Sequence, residues 1–454
     1  MSRAHARRRL LLTGALLAAV SMTALGRAPV ACAAEPAGRP PVRNVILLIA
    51  DGWSYNDILA TGYYLAGRSG AQVYEQFPVR YAVSTYPAGG SYDPVAAWTD
   101  FDYVKQGPTD SAAAATALAC GVKTSNGALG VDVAGQPLVN LLERAEAVGK
   151  STGVVTSVPL SHATPAGFVA HQASRGSYET IAQEMLLRSA MDVIMGAGHP
   201  WYDDQGVRRT EGSFGYVGGE QTWQGLESGT AGGDANGDGQ ADPWVLVQTR
   251  AQFQALGQGP TPARVCGVAP VGETLQERRG GDAAAAPCVV PLTSSVPTLA
   301  EMSAAALNVL DDNPRGLVLM IEGGAVDWAA HSNLSGRMIE ELAGFGEAVQ
   351  TVCDWVERHS TWEETLVVVT GDHETGDLNG PDSGPRWWAV INNGLGLLPS
   401  MIWCSGSHTN SLIPLFARGA GAERLADYAD QTDPVRGPYL DNTEVAQVLA
   451  QATP

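Results

Sequence analysis

Four short runs along the chain are rich in Val, Ile and Leu: residues 45–49, 153–156, 317–321 and 366–369. An unbroken apolar run of this length predicts a strand buried on both faces, the pattern of a parallel sheet covered by helices. Segments with helical spacing of apolar positions lie between them, at 137–148, 178–189, 298–310 and 337–358. Strand and helix alternate, so the pattern predicts an α/β fold with a doubly wound, mostly parallel central sheet flanked by helices. Residues 200–295 break the alternation. They are rich in Gly, Asp, Gln and Pro, and read as an irregular insertion without a core of its own, inside a domain spanning 35–454.

The N-terminus follows another pattern. Arg3 and Arg7 to Arg9 precede an apolar run over 10–25, and Ala31-Cys32-Ala33 has the small-x-small form of a signal-peptidase site. Residues 1–34 therefore read as a secretory signal peptide, which makes the mature protein secreted or extracytoplasmic. The arginine run leaves a twin-arginine route open, whereas Pro29 disfavours a lipid anchor on Cys32. No other stretch is apolar for long enough to span a bilayer.

At 45% hydrophobic and 17% charged, the chain has the composition of a globular protein. The first 34 residues hold five arginines and no acids, so their removal takes the formal charge from −19 to −24. That balance excludes nucleic acid and anionic membrane as main partners, and an anionic substrate would need metal ions to reverse the local sign. Five cysteines remain downstream. In an exported protein some should pair; Cys266 with Cys288 is the expected bridge and Cys120 the expected buried free thiol.

Candidate chemistry gathers where the apolar runs end, the position at which open α/β sheets bind ligands. Asp51 follows NVILLIA. His162 and Thr164 follow GVVTSV, within SHATPAGFVAHQASR. Glu322 ends LVLMI, with Asp327 and His331 close behind in IEGGAVDWAAH. Asp372 and His373 follow LVVVT in GDHETGD, and His408 precedes another apolar run in SGSHTNSLIPLFARG. Any one of these could be a helix cap or a turn residue. Four of the eight histidines, His162, His331, His373 and His408, are among these residues, however, and Asp327 and His331, four apart, would share one face of a helical turn and could hold one ion. The stretch GPTDSAAAATALACG admits two readings: Asp110-Ser111 caps a small-residue helix, or Ser111 is a nucleophile beside an anion held at that helix's N-terminus.

Together and in this order, TDSAAAATALACGVKT, SHATPAGFVAHQASR, IEGGAVDWAAH, TGDHETG and the late SHT resemble the alkaline phosphatases, metal-dependent phosphomonoesterases with a serine nucleophile. The resemblance runs from Asn44 to YLDNTEVAQVLAQ and leaves 200–295 uncovered. It implies Ser111 as nucleophile and Arg175 as phosphate clamp. It implies two zinc ions, one on Asp327, His331 and His408, the other on Asp51, Asp372 and His373. Glu322 and Thr164, with His162 beside them and Asp51 reaching across, resemble a third site of magnesium type. Small phosphomonoesters are the implied substrates; members of the family are often homodimers, though no stretch here marks an interface. Two positions vary within the family: His162 is an aspartate in some members, and Trp328 is a lysine or histidine in many, so Trp328 offers no charge to phosphate.

Within the insertion, Asp234, Asn236, Asp238 and Asp242 follow the D-x-N-x-D-G-x-x-D spacing of calcium loops, with Val245 where a bidentate Glu would complete the set. The loop reads as a structural calcium site or as a solvated acidic turn. Two alternatives to a phosphomonoesterase stay open: a phosphodiesterase or sulfatase of the same superfamily, and a non-catalytic exported calcium-binding protein.

Overall fold

Strand β1 (Asn44–Ala50) is buried at every position, as its NVILLIA sequence requires. The computed structural model describes residues 42–384 and 386–453; the export segment expected at 1–34 lies outside them. The strands that follow are β2 (Val79–Ser84), β3 (Ser151–Pro159), β4 (Val193–Ala197), β5 (Val245–Val247), β6 (Val265–Val268), β7 (Leu317–Gly323) and β8 (Thr365–Thr370). Four two-residue pieces come next: β9 (Glu374–Thr375), β10 (Leu378–Asn379), β11 (Ile402–Trp403) and β12 (His408–Thr409). The chain finishes with β13 (Ile413–Gly419), β14 (Gln431–Asp433) and β15 (Gly437–Asp441).

Eleven of these strands form one sheet in the order β14-β15-β2-β13-β8-β1-β7-β3-β4-β6-β5. From β8 to β5 all neighbours are parallel, and β13 runs antiparallel to both β8 and β2. All four predicted strands are present, and they sit side by side as β8-β1-β7-β3. Helices Leu299–Leu310 and Ser335–His359 pack together in one layer over this sheet; Ser111–Cys120, Leu141–Ala147 and Asn442–Gln451 form another group. The helix expected from 137 begins later because Asn140 caps it, bonding the amides of Leu142 and Glu143 while Glu143 returns to the Asn140 amide.

Helix Ser111–Cys120 is buried on all sides. Its alanines let neighbouring backbone come close: a Cβ on Gly167 would lie 2.7 Å from Ala115 Cβ. Small residues here mark contact with close neighbours and not a missing core.

One expectation gains detail and another is corrected. Residues 200–295 do contribute to the core, since β5 and β6 extend the sheet and Trp223, Trp244 and Phe253 are fully buried. These strands are three and four residues long, too short to show a period in sequence. Nor do Cys266 and Cys288 pair. Cys266 is locked in β6 between Ile194 of β4 and Leu246 of β5 with its side chain buried, whereas Cys288 is exposed, and all five described cysteines are free. Cys120 is a free thiol as expected, but only partly buried.

Helix Tyr55–Ala66 starts with a capping box of Ser54 and Asp57. Asp57 is wholly buried, and burial pushes its carboxyl up to about 7, hydrogen bonds from Ser54 offsetting only part of the effect. Folded protein therefore keeps a proton that unfolded chain releases above 3.8. The stabilisation is complete below that value and is lost as pH rises toward 7. Urea unfolding at a series of pH values should show wild type losing stability relative to Asp57→Asn across this window, by at most about 1.4 kcal/mol per pH unit.

Candidate metal centre and nucleophile

The four adjacent strands β8, β1, β7 and β3 deliver their C-terminal residues to one place. Ile49 of β1 stands beside Glu322 of β7 on one side and Thr370 of β8 on the other, and Glu322 is level with Thr156 of β3. Asp51 and Asp372 therefore emerge next to Glu322. Gly52 has φ of 76°, and a Cβ there would lie 2.7 Å from Asp327 Cα, so only glycine lets helix Ala325–His331 sit against the end of β1.

Asp327 and His331 lie one turn apart on that helix, and β12 brings His408 to them. His331 Nε2 is 3.3 Å and His408 Nε2 3.5 Å from Asp327 Oδ1, and the two Nε2 atoms are 3.0 Å apart. Each ring donates from Nδ1 to a backbone carbonyl, His331 to Gly406 at 2.8 Å and His408 to Thr109 at 2.9 Å. That leaves both Nε2 lone pairs facing one point, an arrangement a cation resolves.

A second cluster joins Asp51, Asp327 and His373. His373 Nε2 is 3.6 Å from Asp51 Oδ1, 3.3 Å from Asp372 Oδ2 and 3.2 Å from Ser111 Oγ. Asp327 thus belongs to both clusters, which the spacing did not anticipate. Thr375 supports it: its hydroxyl donates to Asp327 Oδ1 at 2.6 Å and can accept from His373 Nδ1 at 3.3 Å, which directs the His373 Nε2 lone pair toward Ser111.

At the third location Thr156 donates to Glu322, and the Thr164 hydroxyl is buried without a hydrogen-bond partner. His162 is packed between Tyr178, stacked at 6.0 Å, and the edge of Trp328 at 5.5 Å. Burial, aided by the Arg175 charge, lowers His162 to about 3, so its ring is neutral and its Nδ1 is unpartnered.

The donors fit cations. Buried oxygens of Asp51, Asp372, Glu322 and Thr164 have no hydrogen-bond partner among the described residues. Burial and mutual repulsion raise Asp51 well above its usual range, Asp372 to about 6 and, in spite of its hydrogen bonds, Glu322 to about 7. Burial also acts to raise Asp327, but the neighbouring imidazoles of His408, His331 and His373 outweigh it and hold the carboxyl low. Mixed imidazole and carboxylate sets suit zinc; the oxygen-rich set at Glu322 and Thr164 suits magnesium.

Asp110 makes two kinds of contact. One carboxylate oxygen caps the helix, accepting from Ala113 N at 3.0 Å and from Gly127 N at 3.0 Å. The other accepts from Arg175 at 3.0 Å, which ties the guanidinium to the residue next to Ser111. Sequence reading treated Asp110 as a cap and missed this second contact. It also missed Thr375, although alternation along GDHETGD places residues 373 and 375 on one face. Arg278, from the insertion, lies 4.5 Å over the Trp328 ring, so a cation does stand beside Trp328; nothing in the sequence signals it.

The acidic loop behaves differently. Asp234 accepts from the amides of Gly237, Asp238 and Gly239, Asp238 from Gln240, and Asp242 from Ala235 and Asn236. Asn236 caps Asp238 N and donates to Asp242. The carboxylates are thus satisfied by backbone. Arg264 closes the loop's two ends by donating to the carbonyls of Gly233 and Asp242.

Residues 42–393 match the sequence model of the family described as alkaline phosphatase. The chain belongs to the alkaline phosphatase family. It is 30% identical over 431 residues to the alkaline phosphatase of Escherichia coli K12, covering 87% of this chain and 84% of that one. The cold-active alkaline phosphatase of a psychrophilic Shewanella superposes with a TM-score of 0.66 at 25% identity, over 90% of this chain and 100% of that one. The fold is shared too with a mutant of the alkaline phosphatase from the Antarctic bacterium TAB5, solved with magnesium in its M3 site, at a TM-score of 0.62 and 23% identity, covering 92% of this chain and 99% of that one. As its family membership shows, this chain is a phosphatase.

Because Asp327 joins both histidine clusters, its loss should be felt twice. Metal analysis after zinc loading should find Asp327→Asn depleted at both clusters, while His331→Ala loses about one ion. Equal losses in the two variants would assign Asp327 to one cluster alone.

Proposed function

We propose that the chain hydrolyses phosphate monoesters through a phosphoserine on Ser111. The observation that carries the reading is the placement of Ser111 Oγ, at the first position of a ten-residue helix, 3.2 Å from His373 Nε2, with Arg175 held by the neighbouring Asp110.

Asp327, His331 and His408 would hold one zinc; Asp51, Asp372 and His373, with Asp327 adjoining, a second; Glu322 and Thr164, beside His162, a magnesium. Bound there, the metals lower the pKa of a coordinated hydroxyl and stabilise a departing oxygen. Arg175 holds two nonbridging phosphoryl oxygens in its planar fork, indifferent to the group beyond them. Ser111 Oγ attacks phosphorus in line, the phosphorus–oxygen bond to the leaving group breaks, and the departing alcohol takes up a proton. Water then attacks the phosphoserine from the vacated side, the phosphorus–Oγ bond breaks, Ser111 regains its proton and inorganic phosphate leaves. The positive end of helix Ser111–Cys120 favours the anion throughout. Arg-rich and apolar segments before residue 34 support an extracytoplasmic setting, and no helix among the described residues is long and apolar enough to cross a membrane.

With zinc and magnesium supplied at alkaline pH, p-nitrophenyl phosphate should be strongly preferred to its bis ester, and Ser111→Ala should lower kcat on the order of 10³-fold or more. Preference for the diester, or a variant as active as wild type, would overturn the assignment. For calcium, the support is the loop spacing alone; calorimetry should find one calcium equivalent, absent in Asp238→Ala, if the loop rearranges to bind it.

A further inference from the structure

Away from the metal clusters, a cavity of about 370 Å³ opens between helix Ser335–His359 and the loop that carries Cys288. Its volume lies within the range of small-ligand sites. The walls include Leu275, Val290, Leu292, Leu299 and Phe345. Three glutamates also line it: Glu347 is exposed to solvent, Glu340 is bonded to its neighbours, and Glu341 is left facing the apolar groups. The charged groups facing it are Glu277, Arg279, Glu340 and Arg337. Both arginines are already committed to Glu340, Arg279 at 2.7 Å and Arg337 at 3.5 Å, and Glu340 also takes the Cys288 amide at 2.7 Å. Among the described residues Glu341 has no hydrogen bond or ion pair, and burial, followed by repulsion from Glu277, pushes its carboxyl up to about 8.

A carboxylate enclosed by apolar walls and denied its local cations is costly to ionise. A bare metal ion would want several oxygens, and the wall offers mostly carbon. We propose that this cavity binds a small organic ammonium ion, its apolar body against Leu292, Leu299 and Phe345 and its cationic head on Glu341. Gly344 also lines the space, and a Cβ added there meets nothing within 4 Å, so the backbone leaves room where a side chain would intrude. The inference does not rest on the phosphatase mechanism, although Gly323, which follows Glu322, reaches the same cavity.

The test uses the metal-loaded protein with saturating inorganic phosphate, so that binding at the metal clusters is suppressed. Calorimetry is run at pH 9, above the Glu341 value of about 8 and below the roughly 10.4 of an alkylammonium. 4-Phenylbutylammonium should bind at one equivalent, and the neutral 4-phenylbutanol at least tenfold more weakly. Glu341→Gln should erase that difference, and Gly344→Leu should abolish binding of both while p-nitrophenyl phosphate turnover persists. Should either variant fail to fold, Cys288 in wild type serves as reporter, because its exposed thiol lines the cavity. Saturating amine should slow its maleimide labelling, mapped by mass spectrometry, at least fivefold. Absence of saturable binding, equal binding of amine and alcohol to wild type, or an unchanged labelling rate overturns the proposal.

Discussion

Four carboxylates, Asp51, Glu322 and Asp372 at the ends of adjacent strands and Asp327 on the helix against them, are buried together, and the protein supplies too little positive charge to neutralise them. Arg175 is turned to Asp110, His162 and His373 are neutral, and only His331 and His408 flank Asp327. Left alone, such a group would be strained by repulsion. Everything else in the site follows from keeping it assembled: β1 between β7 and β8, Gly52 admitting helix Ala325–His331, and Thr156 and Thr375 each satisfying one oxygen. The bulk charge of the chain, which argued against an anionic substrate, matters less than these few buried groups and the cations they require.

The central strands were legible because burial on both faces leaves no room for polar residues; 45–49, 153–156, 317–321 and 366–369 lie inside β1, β3, β7 and β8. The wing formed by β13, β2, β15 and β14 was less legible. Its strands are buried at one end only or are short, and β13 reverses direction against β8, a choice set by tertiary packing. The 200–295 region concealed its contribution for a similar reason: β5 and β6 are stabilised by their neighbours, and Arg264, stacked 3.9 Å from the Trp244 ring, ties the acidic loop to them.

For the site, residue type and strand-end position were enough to nominate the metal-type ligands, because histidines and acids at strand ends are informative when they come as a set. What sequence could not show was sharing. Asp327 serves two clusters, and Thr375 links Asp327 to His373; both depend on distances across separate segments. Arg278 reaches Trp328 from fifty residues upstream, through a part of the chain with no periodic signal.

The Asp110 carboxylate joins the helix start to Arg175, the arginine proposed to hold phosphate. Folding and recognition therefore draw on the same two oxygen atoms. A change at the cap would disturb the guanidinium, and a change at the guanidinium would disturb the helix that carries Ser111. Residues 110, 111 and 175 are linked through one carboxylate, so substitutions among them are coupled, and a lineage altering this mouth would have to change them in concert or work from outside, through the 200–295 segment that brings Arg278 to Trp328.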